Sequence, residues 1–203
     1  MVYLLRWALF SLATIWCVSS LHLGLIQYLS LAQGVIAGVL ASNTFIDKFQ
    51  LDATQNGLVV SLFTIGAVCG AGIAGPFSDR LGRRASLSFG SIVFLIGGAI
   101  QTAAMNLHYL YGGRFVAGLG AGILTMIVPL YQAELAHPNI RGRINALVQF
   151  MLGLGSFTAA WVTYGTFIHL KSSSGQWRIP LGLQNLPTLF LATLIWVFPE
   201  SPR

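Results

Sequence analysis

The residues of this chain best equipped for chemistry are few and widely spaced. A basic cluster, Gly75-Pro76-Phe77-Ser78-Asp79-Arg80-Leu81-Gly82-Arg83-Arg84, interrupts two apolar stretches. Glu134 and Arg141 flank a second interruption, Glu200 and Arg203 lie at a third, and Arg114 and Gln149 each stand inside a long apolar run. Charges so arranged can form ion pairs between chain segments, and an amide can both donate to and accept from a pair of hydroxyls. Catalysis needs grouped partners. His22, His108, His137 and His169 fall in different segments, with no His-x4-Asp, Gly-x-Ser-x-Gly or zinc spacing. They read as interface residues, and neither an enzyme nor a cofactor is expected. Cys17 and Cys69 both lie in apolar segments, which argues against a disulfide or a metal site.

The elements that must position these residues follow from composition. Of the 203 residues only 8% are charged and 55% are apolar. A water-soluble domain carries about 25% charge, so most of this surface must face something other than water. A bilayer is the simplest candidate, because a spanning helix needs roughly 20 mostly apolar residues. The net charge of +6 forms no long basic run with interleaved aromatics, which excludes a nucleic-acid footprint.

Stretches 57–77, 85–105, 144–168 and 179–198 carry no charge, and 109–133 carries only Arg114. Each can cross about 30 Å of hydrocarbon at 1.5 Å per residue. A further span is placed at 20–42, with residues 1–19 as an apolar, interfacial lead rather than a cleaved signal. The expectation is an all-α integral membrane protein of six transmembrane helices occupying 20–203. Alternate loops then divide the basic residues unequally. Arg6, Arg80, Arg83, Arg84, Arg141, Arg143 and Arg203 share one side, and Lys48, Lys171 and Arg178 the other. The positive-inside rule puts the first side, and both ends of the chain, in the cytoplasm. Glycines spaced within the spans, as at Gly66/Gly70 and Gly118/Gly122, let helices approach closely. The run Gly118-Leu119-Gly120-Ala121-Gly122 follows no strand and lacks the last glycine of a nucleotide loop.

In the basic cluster, Gly82 should supply a tight turn. Asp79 should sit near the start of the following helix, where a carboxylate meets the positive end of the dipole. A plain orienting anchor would explain the arginines but not the fixed Gly, Asp and Gly around them.

This cluster resembles the major facilitator superfamily, whose loop between the second and third spans has a Gly-x-x-x-Asp-Arg-x-Gly-Arg-Arg pattern. Gly113-Arg114 opening the fourth span, Pro129-Leu130-Tyr131-Gln132-Ala133-Glu134 followed by Arg141-Gly142, and Pro199-Glu200-Ser201-Pro202-Arg203 narrow the resemblance to the sugar porter branch. Trp177-Arg178-Ile179-Pro180-Leu181-Gly182-Leu183-Gln184 looks most like fungal members. The resemblance covers about residues 33–203. It implies one half of a twelve-helix bundle, itself a 3+3 inverted repeat, with substrate held at the midplane between halves. It also implies a charge network that locks the outward-facing state, made here of Asp79, Arg80, Arg83, Arg84, Glu134, Arg141, Glu200 and Arg203.

By the same resemblance Gln149 matches a glutamine that bonds sugar hydroxyls, with Leu152 and Ser156 on its helical face. A glutamine bonded between helices is the alternative reading. Arg114, about five residues into its span, would be expensive in hydrocarbon, so it should snorkel outward or face an aqueous cavity. In proton-coupled relatives the matching arginine pairs with an aspartate just before a Gln-Gly-Val step. Here that step is Gln33-Gly34-Val35, and Ala32 precedes it. The expected function is alternating-access transport of a hexose or related monosaccharide or polyol, facilitated rather than proton-driven, in the plasma membrane. Its partners would be the sugar, the lipid bilayer and a second six-helix half or a dimer partner, with no nucleic acid. A non-transporting truncated carrier or a sugar-sensor-like membrane protein is the competing reading.

Overall fold

The computed structural model describes residues 36, 38–40, 42, 45, 46, 49, 52–135, 141–170 and 175–195. The lead at 1–19, most of the span placed at 20–42, the Ala32-Gln33 step, Glu200 and Arg203 lie outside the described residues, as do the side chains of Arg141, Gln149 and Leu152.

Among the described residues the regular structure is helical. Helix α1 runs Ala53–Leu81, α2 Arg83–Thr102, α3 Leu107–Leu135, α4 Arg141–His169, α5 Gly175–Leu183 and α6 Asn185–Leu194. The 29 residues of α1 reach about 43 Å, more than the hydrocarbon core of a bilayer. Ala53–Leu81, Arg83–Thr102 and Leu107–Tyr131 are each long and apolar enough to cross one.

Helix α1 starts at a capping box. Asp52 Oδ1 accepts from the Ala53 N–H at 2.8 Å, and Gln55 Oε1 accepts from the Asp52 N–H at 3.3 Å. It ends at Gly82, whose φ of +89° with ψ 159° lies in a region reserved for glycine. The same residue is the N-cap of α2, so a single residue separates two spans. Where the sequence suggested a loop at 78–84, the chain stays helical to Leu81 and resumes at Arg83. Asp79 therefore lies in the last turn of α1, at its negative dipole end, and must be stabilised by something other than a helix N-terminus.

The stretch at 179–198 is likewise not one continuous helix. Helical structure begins earlier, at Gly175, and breaks at Gln184 between α5 and α6. Pro187 explains the break, because its ring would collide with the Leu183 carbonyl in an unbroken helix.

Helix α3 is the central element, packed chiefly against α1 on one side and α2 on the other. Lipid tails are as apolar as leucine, so these contacts cannot rest on a hydrophobic drive and need close backbone approach. The buried stripe of α1, Val59, Phe63, Gly66, Gly70, Ala74 and Ser78, recurs every three or four residues. A Cβ on Gly66 would overlap the Phe115 carbonyl, and one on Gly118 would overlap that of Phe63. One apolar cluster, including Phe63, Leu87, Phe94, Leu124 and Ile127, fills the space among α1, α2 and α3. A second, around Val59, Leu110, Trp177 and Leu181, includes Ile36, Val39 and Phe45.

Candidate functional site

The α1–α2 junction gathers the charges. With Gly82 turning the chain, Arg83 points back along the last turn of α1. Its Nη1 donates to Ser78 Oγ at 2.6 Å and to Asp79 Oδ1 at 3.2 Å. Its Nη2 lies 3.1 Å and its Nε 3.3 Å from Oε1 of Glu134, in the last turn of α3. One guanidinium thus ties three helix ends, which suits its fork of donors. Asp79 and Glu134, both at helix C-termini, receive from Arg83 the positive charge that the dipole does not supply. The group is only partly shielded, with Arg83 at 20%, Glu134 at 33% and Asp79 at 71% side-chain exposure. Bonds of this kind can be made and broken without stranding a buried charge.

Of the other network candidates, Arg84 donates from Nε to the Ile195 carbonyl at 3.0 Å, joining the start of α2 to the end of α6. Arg80 is exposed.

Arg114 departs from the first of the two sequence expectations. It is 1% exposed, so it does not reach the surface by snorkelling; its Cζ stands 5.7 Å above the Phe63 ring of α1. A ring face attracts a cation most strongly where water is excluded. Gln101, one helix away on α2, is also 1% exposed and donates to the Gly113 carbonyl beside it at 3.1 Å.

The sugar-contact candidates lie on α4, which is helical through 149, 152 and 156. Positions three and four residues apart share a helical face, so Gln149, Leu152 and Ser156 fall in one row. Ser156 is exposed. Further along, Phe157, Trp161 and Tyr164 are exposed too, with ring centroids 6.1 and 6.3 Å apart in edge contacts.

Two contributors escaped the sequence reading. Ser78 holds Arg83, and its signal was available: it continues the buried stripe of α1 by one more turn, and a buried serine needs a partner. Ser42, buried, donates to Gln176 Oε1 at 3.1 Å across 134 residues of sequence. Beside that bond Trp177 packs edge-on against Phe45 at 5.8 Å. No local pattern signals a pairing at that separation. Among the described residues no three His, Cys, Asp or Glu side chains gather to hold a metal.

Comparison with known proteins agrees with this architecture. The profile of the sugar (and other) transporter family matches residues 18–203. The chain is 40% identical over 171 residues to the MFS-type transporter criB of Aspergillus cristatus, and 41% identical over 171 residues to the glucose transporter GlcP of Staphylococcus epidermidis. In both cases 84% of this chain is covered but 36% of the relative, so the chain spans about a third of their length. The inward-open xylose transporter XylE from E. coli superposes with a TM-score of 0.75 at 26% identity, over 94% of this chain and 49% of that one. A multi-pass helical membrane fold, and a family profile running through nearly all of it, place this chain in the sugar (and other) transporter family of the major facilitator superfamily.

Proposed function

We propose that this chain forms one six-helix half of a carrier that passes a hexose, or a related monosaccharide or polyol, across a membrane by alternating access. The observation that carries the reading is the family match over residues 18–203, with a glucose transporter among the relatives at 41% identity. The other half of the bundle comes from a second six-helix unit. The sugar sits between the two, and no bond within it changes.

The Arg83 cluster supports the mechanism physically. A carrier open to one side must close the helix ends on the other, and bonds present in only one state bias the equilibrium by their difference. Arg83, Asp79 and Glu134 are the seam at the α1–α2 end, and Arg80, Arg84, Arg141, Glu200 and Arg203 are proposed to extend it. A single exposed pair is worth about 0–1 kcal/mol, so the lock acts as a set. On the positive-inside argument this end, like both chain termini, faces the cytoplasm, with the plasma membrane as the site of action.

Gln149 is proposed to hydrogen-bond the sugar, with Leu152 and Ser156 beside it. Ala32 leaves no carboxylate at the position that carries a proton in coupled carriers, which supports facilitated transport. Reconstitution in liposomes with a matching second half is the test. Labelled hexose should exchange, Gln149→Ala should weaken exchange several-fold, and an imposed pH gradient should change accumulation little. Hexose binding without exchange would favour the sensor-like reading. Unchanged affinity in Gln149→Ala would remove that residue from the sugar site.

A further inference from the structure

The end of the bundle away from the Arg83 cluster holds polar atoms that the transport reading does not use. Gln101, Gln184 and Thr188 are each 1% exposed. Gln101 Oε1, Gln184 Oε1, Asn185 Oδ1 and Thr188 Oγ1 are buried with no hydrogen-bond partner among the described residues. Buried polar side chains are nearly always bonded, to protein or to ordered water.

These atoms share one region. At about 100° per residue, Gln101 projects between Gly97 and Gly98. Gly97 faces Ala117 of α3, and a Cβ on Gly98 would overlap the Asn185 amide of α6. Gln101 therefore stands where α2, α3 and α6 meet. Gln184 and Thr188, four residues apart, share the buried face of the α5–α6 segment, and α2 is the main neighbour of α6. The break at Gln184 also explains Thr188. Thr64, Thr102, Thr163 and Thr193 each donate to the carbonyl four residues earlier. For Thr188 that carbonyl belongs to Gln184, the residue between the two helices.

We propose that this three-way junction is an internal hydration site, in which about two waters donate their four O–H groups to these four acceptors. The occupant must be small, since Gly98 abuts Asn185 and a Cβ on Gly182 would already touch Thr102 Cγ2 at 3.6 Å. Every acceptor is neutral, so no carboxylate stands among them to offset the charge of a buried metal cation. The proposal rests on the bundle, not on the identity of the sugar. Its consequence is mechanical: a wet seam lets α5–α6 shift along α2 by trading water bonds, where a dry one would leave its acceptors unpaired in the protein interior.

X-ray hydroxyl-radical footprinting of the full chain in lipid nanodiscs tests the site, because radiolysis of bound water labels the side chains around it. With each rate divided by the reactivity of the free amino acid, Leu181, on the same buried face as Gln184, should be labelled several-fold faster than Phe94, equally buried in the apolar cluster of α2. Thr188→Val should lower that rate without raising the melting temperature. Equal labelling of Leu181 and Phe94 would overturn the proposal, as would a higher melting temperature for Thr188→Val, the mark of a dry, unpaired hydroxyl removed. A melting shift on replacing choline by sodium would show a cation site instead. Failure of hexose exchange, with Leu181 still labelled, would count against the transport reading and leave this one standing.

Discussion

Nη2 of Arg83 sits 3.1 Å from Oε1 of Glu134, joining the first residue of α2 to the last turn of α3. The pair is accessible, at 20% and 33% side-chain exposure, so its Coulomb energy is largely screened. A double-mutant cycle of Arg83→Gln and Glu134→Gln, read by thermal melting in detergent, should return a coupling of about 0.5 kcal/mol. Strict additivity would show that the contact does not hold in the membrane protein as purified.

The α1–α3 seam should be far less tolerant. Gly118→Ala puts a methyl onto the Phe63 carbonyl, and backbone on both sides leaves nothing soft to yield. Overpacking of this kind costs about 1–3 kcal/mol, and here the whole helix pair must separate. Gly57 and Gly72, on the same α1, have nothing within 4 Å of a built Cβ. Alanine there should stabilise by about 0.5–1 kcal/mol, because glycine weakens a helix interior. Melting temperatures of the three variants should therefore split in sign, and a uniform fall would refute the packing argument.

The sequence showed the helices plainly because apolar runs of span length bounded by charge leave little choice of structure. It showed less of where they end. The charges after Phe77 set the expected end of the span there, but α1 carries Pro76 inside it and continues to Leu81. Asp79 changed from an N-terminal to a C-terminal residue as a result. The interruption at Gln184 was hidden by an uncharged stretch of span length, in which the polar pair Gln184-Asn185 and Pro187 were the local signals. The burial of Arg114 was illegible for another reason. Its neighbour Phe63 lies on a different helix, and a single sequence read segment by segment does not pair helices. The motif residues Asp79, Arg83 and Glu134 were legible as a group because the resemblance placed them at helix ends, but Ser78 and the carbonyl of Ile195 belong to the packing.

Gly82 offers a test of backbone conformation free of side-chain crowding, since nothing lies within 4 Å of a built Cβ. Its φ of +89° and ψ of 159° fall outside the left-handed helical region that asparagine tolerates. Gly82→Ala and Gly82→Asn should therefore lower stability alike, by about 1–3 kcal/mol. A clear advantage for asparagine would mean that the junction is an ordinary left-handed turn.

Arg84 makes the last prediction. The final carbonyls of a helix lack intrahelical donors, and a cation at that end meets the negative dipole. Nε of Arg84 meets both needs at Ile195, just past α6, with a 3.0 Å bond. Arg84→Ala should fray the end of α6 and cost roughly 1–2 kcal/mol, because a hydrogen bond to a charged donor is lost from a half-buried site. Hydrogen exchange should quicken at the last amides of α6 while those in the middle of α3 stay protected. Arg84→Lys should recover part of the protection through charge alone. If exchange at α6 is unchanged in Arg84→Ala, then α6 is held by its apolar contacts with α2, including the buried Ile195 side chain, and the arginine serves only to orient the span.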